Sequence, residues 1–264
     1  MPVLDINSCV EKVRFTSIKI RKKLLLSIFF FFIASSNVFA APIAIDYLSS
    51  FLYSADMGSM SIEDTQIGSG FNEFGVSGFE TTYANNLNVY NFGTVTWAIT
   101  NRTGANLSNT RFFGFLDAEI TESGNSFFNE YGELVSVTGS GAGDTSADYW
   151  EIDEPGFAFG DIYDNIVYDG MLDNFNNVPS GLEEDVSLAL GFDIGNFLAD
   201  QTLLATFTIS DQDIGGLRHV DPGSTTSFYF NGTAELLPIE VPEPNSLFLL
   251  ALGLLLHRAR RISC

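Results

Sequence analysis

Apolar and polar residues alternate with a period of two through most of the middle of the chain, between clusters of Gly, Asn, Asp and Ser. Such alternation is typical of strands that bury one face, whereas the spacing of an amphipathic helix is hard to find there. In Gly93–Asn101, for example, Val95, Trp97 and Ile99 point one way and the threonines point the other. The pattern predicts an all-β domain, built as an antiparallel β-sandwich.

Residues 111–120 are predicted to form a central strand, because Phe113 and Phe115 lie on one face while Phe112 and Leu116 lie on the other. Seven to ten strands of ordinary length fit a sandwich, and the alternation leaves an immunoglobulin-like or a jelly-roll topology open. Residues 95–104 and 188–209 loosely resemble the immunoglobulin-like modules of bacterial surface proteins. Residues 101–109 are predicted as a turn, and further strands are predicted at residues 134–137, 162–168, 187–192, 203–210 and 226–230.

The N-terminus departs from this pattern. Six lysines and arginines precede residue 24, and residues 24–34 form an apolar stretch with four consecutive phenylalanines. A basic region followed by a short apolar region is the pattern of a secretory signal peptide. The small residue at the end of Val38-Phe39-Ala40 predicts cleavage between Ala40 and Ala41. An uncleaved N-terminal anchor is the alternative.

The C-terminus departs from it as well. Pro242 and Pro244 disfavour helix at the residues before them, so this segment is predicted to be extended and accessible. The apolar run 247–256 is ten residues long, well short of the ~20 that a comfortable span requires, and is predicted to be a short helix that inserts only marginally. Basic residues beside an apolar helix stay on the cytoplasmic side, so the preceding chain is predicted to face outward. The run includes Leu247, Leu250, Gly253 and Leu256, and the basic cluster is Arg258, Arg260 and Arg261.

This order of residues resembles the PEP-CTERM protein-sorting domain of Gram-negative bacteria. The likeness covers about residues 240–261 and rests on Val241, Pro242, Glu243 and Pro244, followed by the leucine-rich run and the arginines. The resemblance implies an exosortase substrate, which is exported, passes through a transient precursor anchored in the inner membrane, and is cleaved near the tripeptide. It also implies a place at the cell surface or outside the cell, in association with exopolysaccharide or biofilm. A plain tail anchor and a buried terminal helix are the alternatives.

Three segments are therefore predicted: a signal peptide at 1–40, an acidic sandwich at 41–238 and a sorting tail at 239–264. Residues 41–241 contain three arginines, no lysine and 30 acidic residues, which gives a formal net charge of −27. A field of this sign repels nucleic acid and attracts divalent cations, so nucleic-acid binding is excluded. Both cysteines, Cys9 and Cys264, lie in the terminal segments, so the sandwich has no disulfide or thiol chemistry.

Residues 144–173 contain nine carboxylates, six aromatic residues and no basic residue. Carboxylate oxygens are the ligands that calcium prefers, although no EF-hand spacing is present. A glycan site is a second interpretation, with Trp150 stacked on a sugar ring and acidic side chains holding its hydroxyls. A solvated acidic loop is the favoured interpretation. The candidate residues for calcium or a glycan are Asp148, Trp150, Asp153, Asp161 and Asp164.

The inventory of catalytic residues is poor, and no catalytic residue is predicted. His219 is the only histidine of residues 41–241 and is predicted to lie in a loop, and no G-x-S-x-G motif occurs. We therefore expect a non-enzymatic adhesive or structural protein, with calcium as its one candidate cofactor. Exosortase, the export machinery and extracellular polysaccharide are its expected partners. A carbohydrate-binding module and a secreted polysaccharide hydrolase, which needs two suitably spaced carboxylates, are the alternatives.

Overall fold

A computed structural model describes residues 41–65, 72–73, 77–121, 128–136, 147–155, 159–224 and 226–239, with the backbone alone at 59–65 and 72–73. The predicted signal peptide and the predicted C-terminal helix lie outside these residues. So do Ala40 and every residue of the predicted sorting tail from Val241 onward.

The described chain folds into two antiparallel sheets, which confirms the predicted all-β sandwich. The first sheet has the strand order β3-β2-β1-β6-β9-β8, and the second has the order β4-β5-β10-β12-β11-β7. The strands are β1 (Ile43–Ser54), β2 (Gly58–Thr65), β3 (Asn72–Glu73), β4 (Phe79–Asn85), β5 (Gly93–Asn101), β6 (Leu107–Ile120), β7 (Tyr131–Ser136), β8 (Tyr149–Asp153), β9 (Ser187–Phe197), β10 (Thr202–Ser210), β11 (Gly216–Val220) and β12 (Ser227–Leu236).

The alternation in β5 was predicted correctly. Val95, Trp97 and Ile99 are buried, while Thr96 and Thr100 lie on the half-exposed face. There each threonine hydroxyl makes a hydrogen bond of 2.9 Å with a threonine of β10. Such cross-strand pairs stabilise an antiparallel sheet on the face that the core does not use.

Strand β6 is central, as its two apolar faces predicted, because β1 and β9 pair with it on either side. Its inner face meets the second sheet, where Phe112 packs on Phe207 of β10 with ring centroids 6.1 Å apart. Gly114 lies on the same face, where a Cβ atom would come within 2.2 Å of the Phe207 ring. The strand begins at Leu107, so the turn predicted at 101–109 is too long.

The strand predicted at residues 162–168 is wrong. Residues Ile162–Asp164 form an α-helical turn, and Asn165–Asp169 continue it as a π-helical turn. Ile162 and Ile166 are four residues apart, a spacing that puts both on one side of a helix. Both are fully buried against the outer face of the first sheet, where they join Phe51, Phe113, Phe115, Leu172 and Ala189 in a second apolar cluster.

Arg111 fixes the end of this helical segment, residues 162–169. Its Nη1 donates a 2.7 Å hydrogen bond to the carbonyl of Gly170. Its guanidinium carbon lies 5.9 Å from the ring centroid of Tyr53 and 5.4 Å from that of Tyr149. The guanidinium of Arg111 and apolar packing therefore hold the segment in place. The segment positions the acidic residues between 159 and 173 over the first sheet.

Candidate functional site

Of the predicted site residues, Asp153 and Asp161 come together. They join Glu151 in a group whose candidate ligand atoms all lie within 4.8 Å of one another, here called the Glu151 cluster. Glu151 and Asp153 are on β8 and are buried, while Asp161 is exposed and precedes the helical segment. Calcium binding and glycan binding at these residues stay predictions.

The other predicted residues make separate contacts. Asp148 accepts a 2.7 Å hydrogen bond from the backbone N–H of Asp193. Trp150 is half-buried on β8, and its backbone N–H donates to Asn174 Oδ1 at 2.9 Å. Asp164 is exposed on the helical segment. None of these three residues belongs to the Glu151 cluster.

Hydrogen bonds occupy both oxygens of Glu151. Oε1 accepts from Asn165 Nδ2 at 2.9 Å, and Oε2 accepts from the backbone N–H of Asp173 at 3.2 Å. Asp153 accepts from Asn177 Nδ2 and from two backbone N–H groups, those of Glu154 and Asp161. The cluster therefore ties the loop and the helical segment to the edge of the first sheet.

Burial, and then a hydrogen bond with the Asp161 carboxyl, raises the pKa of Glu151 to about 8. Burial also raises the pKa of Asp153. A hydrogen bond between two carboxyl groups needs a proton on one of them, so the pair of Glu151 and Asp161 holds a proton at higher pH than an isolated carboxyl group would. A neutral carboxylic acid at this position is a structural group that can donate a hydrogen bond.

A second group, here called the Asp117 cluster, consists of Asp117, Glu119 and Asp185. Their candidate ligand atoms also lie within 4.8 Å of one another. Asp117 and Glu119 are two residues apart near the end of β6 and so point to one face, and Asp185 precedes β9. Burial, with repulsion from Asp185, raises the pKa of Asp117 to about 7. Burial, with repulsion from Glu130 and Asp185, raises the pKa of Glu119 to about 9.

The strand register relates the two clusters. Asp117 pairs with Ser187 of β9, and Ser187 pairs with Asp153 of β8. Residues paired across strands point to the same face of a sheet. Asp117, Ser187 and Asp153 therefore form a row across three strands, with one carboxylate cluster on each side of Ser187.

His219 is not in a loop, contrary to the prediction. It lies on β11, is fully buried, and stacks on Phe228 with ring centroids 4.5 Å apart. Its Nε2 lies 2.9 Å from Glu130 Oε2, at ion-pair distance but outside hydrogen-bonding geometry. Burial lowers the pKa of His219 to about 3, against the opposing effect of Asp185 and Asp221. The imidazole is thus neutral at physiological pH.

The Asp117 cluster was missed in the sequence, although one signal was present. Asp117 and Glu119 interrupt a strand whose two faces otherwise both read as apolar. Burying two carboxylates on one face of a central strand costs free energy unless they are paired, so this pair was a signal of a candidate site. Asp185 could not have been added to them, because only the pairing of β6 with β9 brings it close.

The C-terminal tail is where comparison with known proteins is informative. A family model described as the PEP-CTERM protein-sorting motif matches residues 240–261. The chain carries a PEP-CTERM sorting motif. The match confirms the predicted resemblance and the residues to which the resemblance is confined. The PEP-CTERM motif indicates an exported protein that an exosortase processes, with its place at the cell surface or outside the cell.

The PEP-CTERM match covers only the tail, and no curated protein and no solved structure matches the chain. The predicted span from Leu247 to Leu256 and the arginines after it lie outside the described residues, so that helix stays a prediction. Among the described residues, no helix combines the length and the apolar character that crossing a membrane requires.

Proposed function

We propose that this protein has a non-enzymatic adhesive or structural role at the surface of a Gram-negative bacterium or in its matrix, linked to exopolysaccharide or biofilm. The observation that carries the proposal is the PEP-CTERM motif at residues 240–261, which follows directly on an acidic β-sandwich. The motif accounts for export and processing. Residues 41–241 have a formal net charge of −27. This charge keeps the sandwich soluble outside the cell and suits it to binding cations and hydroxyl-rich polymers.

The burial of Glu151 and His219 supports a role without catalysis. A glycosidase needs two carboxyl groups that reach the scissile bond from either side. Glu151 is fully buried and both of its oxygens already accept hydrogen bonds from the protein. His219 is also fully buried, so it cannot reach a substrate as a general base. For these two groups, a structural role is therefore the interpretation that we favour.

The proposal is tested in the native host. A strain that lacks the chain is expected to retain less exopolysaccharide and to form a thinner biofilm, and the wild-type gene should restore both. A triple variant, Pro242→Ala, Glu243→Ala and Pro244→Ala, should accumulate as an unprocessed membrane precursor, with Ser246→Ala as the matched control in the same segment. Unchanged polymer retention and unchanged biofilm in the deletion strain would overturn the role, even if processing proceeds as expected.

A second candidate function is carbohydrate binding. One observation favours it: three aromatic side chains between residues 159 and 175 are strongly exposed, with exposed fractions of 67% for Phe159, 75% for Tyr168 and 58% for Phe175. Aromatic rings in water offer flat surfaces for the apolar faces of sugars. They lie on the stretch that carries Asp161 and Asp173, whose carboxylates accept hydrogen bonds from hydroxyls.

A glycan array probed with the full chain in mild detergent distinguishes carbohydrate binding from the adhesive or structural role. Carbohydrate binding predicts a defined set of glycans that bind the wild type and are lost in Tyr168→Ala. Exposed Tyr90, on the turn between β4 and β5, gives a control variant, Tyr90→Ala, that should keep them. An array with no bound glycan would eliminate this function and leave the adhesive proposal to the genetic test.

A further inference from the structure

The Asp117 cluster and the neighbouring Ser187 hold buried polar atoms that have no hydrogen-bond partner among the described residues. Ser187 is fully buried, and its hydroxyl makes no hydrogen bond. The register points this hydroxyl to the same face as Asp117. It lies close enough to lower the pKa of that carboxyl, but not in hydrogen-bonding geometry. Asp185 Oδ1 is likewise buried without a partner.

Buried oxygens of this kind are costly. A buried polar atom that lacks a partner costs about 1–3 kcal/mol, and most such atoms in folded proteins have one. Here a neutral hydroxyl and three carboxylates share one small region. Ionised carboxylates only accept hydrogen bonds, so the three acids cannot satisfy one another, and the Ser187 hydroxyl has a single O–H to donate. A group that accepts lone pairs from all of them would remove the cost.

The basic residues of the domain do not supply that group. Residues 41–239 contain only three arginines and no lysine. Each arginine contacts other partners: Arg102 contacts Glu80 and Asp200, Arg111 contacts Gly170, and Arg218 contacts Glu133. Asp46 and Glu130 instead add negative charge beside the cluster. The local charge therefore favours a bound cation.

We propose that Asp117, Glu119 and Asp185 bind a divalent cation of the calcium class, with the Ser187 hydroxyl as a neighbouring neutral oxygen. The three carboxylates converge within 4.8 Å, which is the spacing of ligands around one ion. Calcium takes six to eight oxygen ligands at roughly 2.3–2.6 Å, so water completes the shell. The site binds β6 to the segment before β9 and so fixes one end of the sandwich.

The donor set favours a hard cation over zinc. All the converging atoms are oxygens, and the imidazole of His219 has its Nε2 directed toward Glu130 at 2.9 Å. Calcium modules outside cells commonly bind with dissociation constants of about 10⁻⁴–10⁻³ M. We expect an affinity in this range.

The Glu151 cluster does not share these features. Its two buried carboxylates already accept hydrogen bonds from Asn165, Asn177 and backbone N–H groups. The protein therefore satisfies these oxygens without an ion. This contrast places the cation site about two strands away from the calcium residues that the sequence suggested.

The test is isothermal titration calorimetry with the full chain in mild detergent, stripped with a chelator and dialysed into about 0.15 M salt, which screens diffuse binding to the acidic surface. Calcium chloride should bind with a stoichiometry of one, and magnesium should bind more weakly. Asp117→Asn should abolish this binding. The substitution keeps the shape and removes one buried charge, and circular dichroism checks that the variant is folded.

Two variants serve as controls. Asp153→Asn removes the carboxylate on the other side of Ser187, and Glu235→Gln removes an exposed charge on the second sheet. Both should bind calcium like the wild type. Should Asp117→Asn fail to fold, Glu119→Gln makes the same test. The proposal is overturned if calcium, magnesium and manganese all fail to bind at millimolar concentration, if folded Asp117→Asn binds like the wild type, or if Asp153→Asn alone abolishes binding.

Discussion

At the scale of single residues, the unusual feature is a set of carboxyl groups that are buried or half-buried next to other carboxyl groups. Glu151, Asp117 and Glu119 all have a raised pKa, to about 8, about 7 and about 9, and burial is the first cause in each case. Ionising such a group in the folded protein costs more than ionising it in the unfolded chain. The folded protein therefore holds protons that the unfolded chain releases, and its stability depends on pH.

Glu151→Gln should reduce this dependence. The pKa of Glu151 is near 4.5 in the unfolded chain and about 8 when folded, so the folded state is favoured at low pH and loses stability as pH rises from 4.5 to 8. Each unit of raised pKa corresponds to about 1.4 kcal/mol, so the loss is on the order of a few kcal/mol. Glutamine cannot ionise, and its single amide oxygen keeps one of the two hydrogen bonds that Glu151 accepts from Asn165 and Asp173, so a loss of stability that does not depend on pH accompanies the change. Urea unfolding from about pH 5 to about pH 9 measures the effect.

The comparison must be made at each pH, because other groups titrate as well. Asp153, Asp161 and Asp173 surround Glu151, and the two carboxyls on β6 add the same sign of dependence. His219 has the opposite sign: its lowered pKa makes stability fall as pH drops from 6.5 toward 3. The contributions of His219 and of the two β6 carboxyls are common to both proteins and cancel in the difference. The carboxyls beside Glu151 are coupled to it, so the difference reports the titration of the Glu151 cluster as a unit. A variant curve parallel to the wild-type curve over the whole range would contradict the assignment.

At the scale of elements, the alternation of apolar and polar residues correctly predicted strands that bury one face. The prediction failed where the same residues fit both the period of a strand and the period of a helix. In β5 the alternation of Val95, Trp97 and Ile99 with threonines fits only a strand. In residues 162–168 the apolar residues also fit a helix, and packing on the outer face of the first sheet decided between the two. The candidate clusters depend on pairing between β6, β8 and β9, which are distant in sequence, so no local pattern could show them.

The helical segment should owe its stability to Ile166. This side chain is fully buried between the segment and the first sheet, so Ile166→Ala leaves a cavity and should destabilise the protein by about 2–5 kcal/mol. Tyr168→Ala, two residues further on, removes an exposed ring and should change stability by less than about 0.5 kcal/mol. Urea unfolding of both variants measures the difference. Equal small losses would show that the segment does not pack as described.

The contact between the two sheets should depend on Gly114. A Cβ atom at this position would come within 2.2 Å of the Phe207 ring, so Gly114→Ala should cost about 1–3 kcal/mol. The matched control is Gly223→Ala, where the nearest atom, Asp221 Oδ1, is 3.2 Å away and the cost should be smaller. Phe207→Leu should cost less in the Gly114→Ala background than alone, because the smaller side chain relieves the clash. Additive costs in this double-mutant cycle would rule out the contact.

At the scale of the whole molecule, the predicted cleavages at the two ends of the chain remove none of the twelve described strands. Strand β1 begins at Ile43, just after the predicted cleavage between Ala40 and Ala41, and β12 ends at Leu236, before the Pro242-Glu243-Pro244 tripeptide. The few residues between each predicted cut and the nearest strand are hydrogen-bonded to the sheets. The carbonyl of Pro42 accepts a 3.0 Å hydrogen bond from the backbone N–H of Thr121, and the N–H of Leu237 donates to the carbonyl of Thr202 at 2.8 Å.

Mass spectrometry of the protein from its native host should therefore find Ala41 as the first residue and a C-terminus near Pro244, with no fragment ending in Cys264. Signal cleavage requires a small residue before the cut, so Ala40→Leu should retain the leader and keep the protein in the membrane fraction. Phe39→Leu, one residue earlier, changes a position with no such requirement and should be processed normally. Recovery of a chain that starts at Ala41 from the Ala40→Leu strain would contradict the assigned cleavage site, and a C-terminus at Cys264 would contradict processing of the tail.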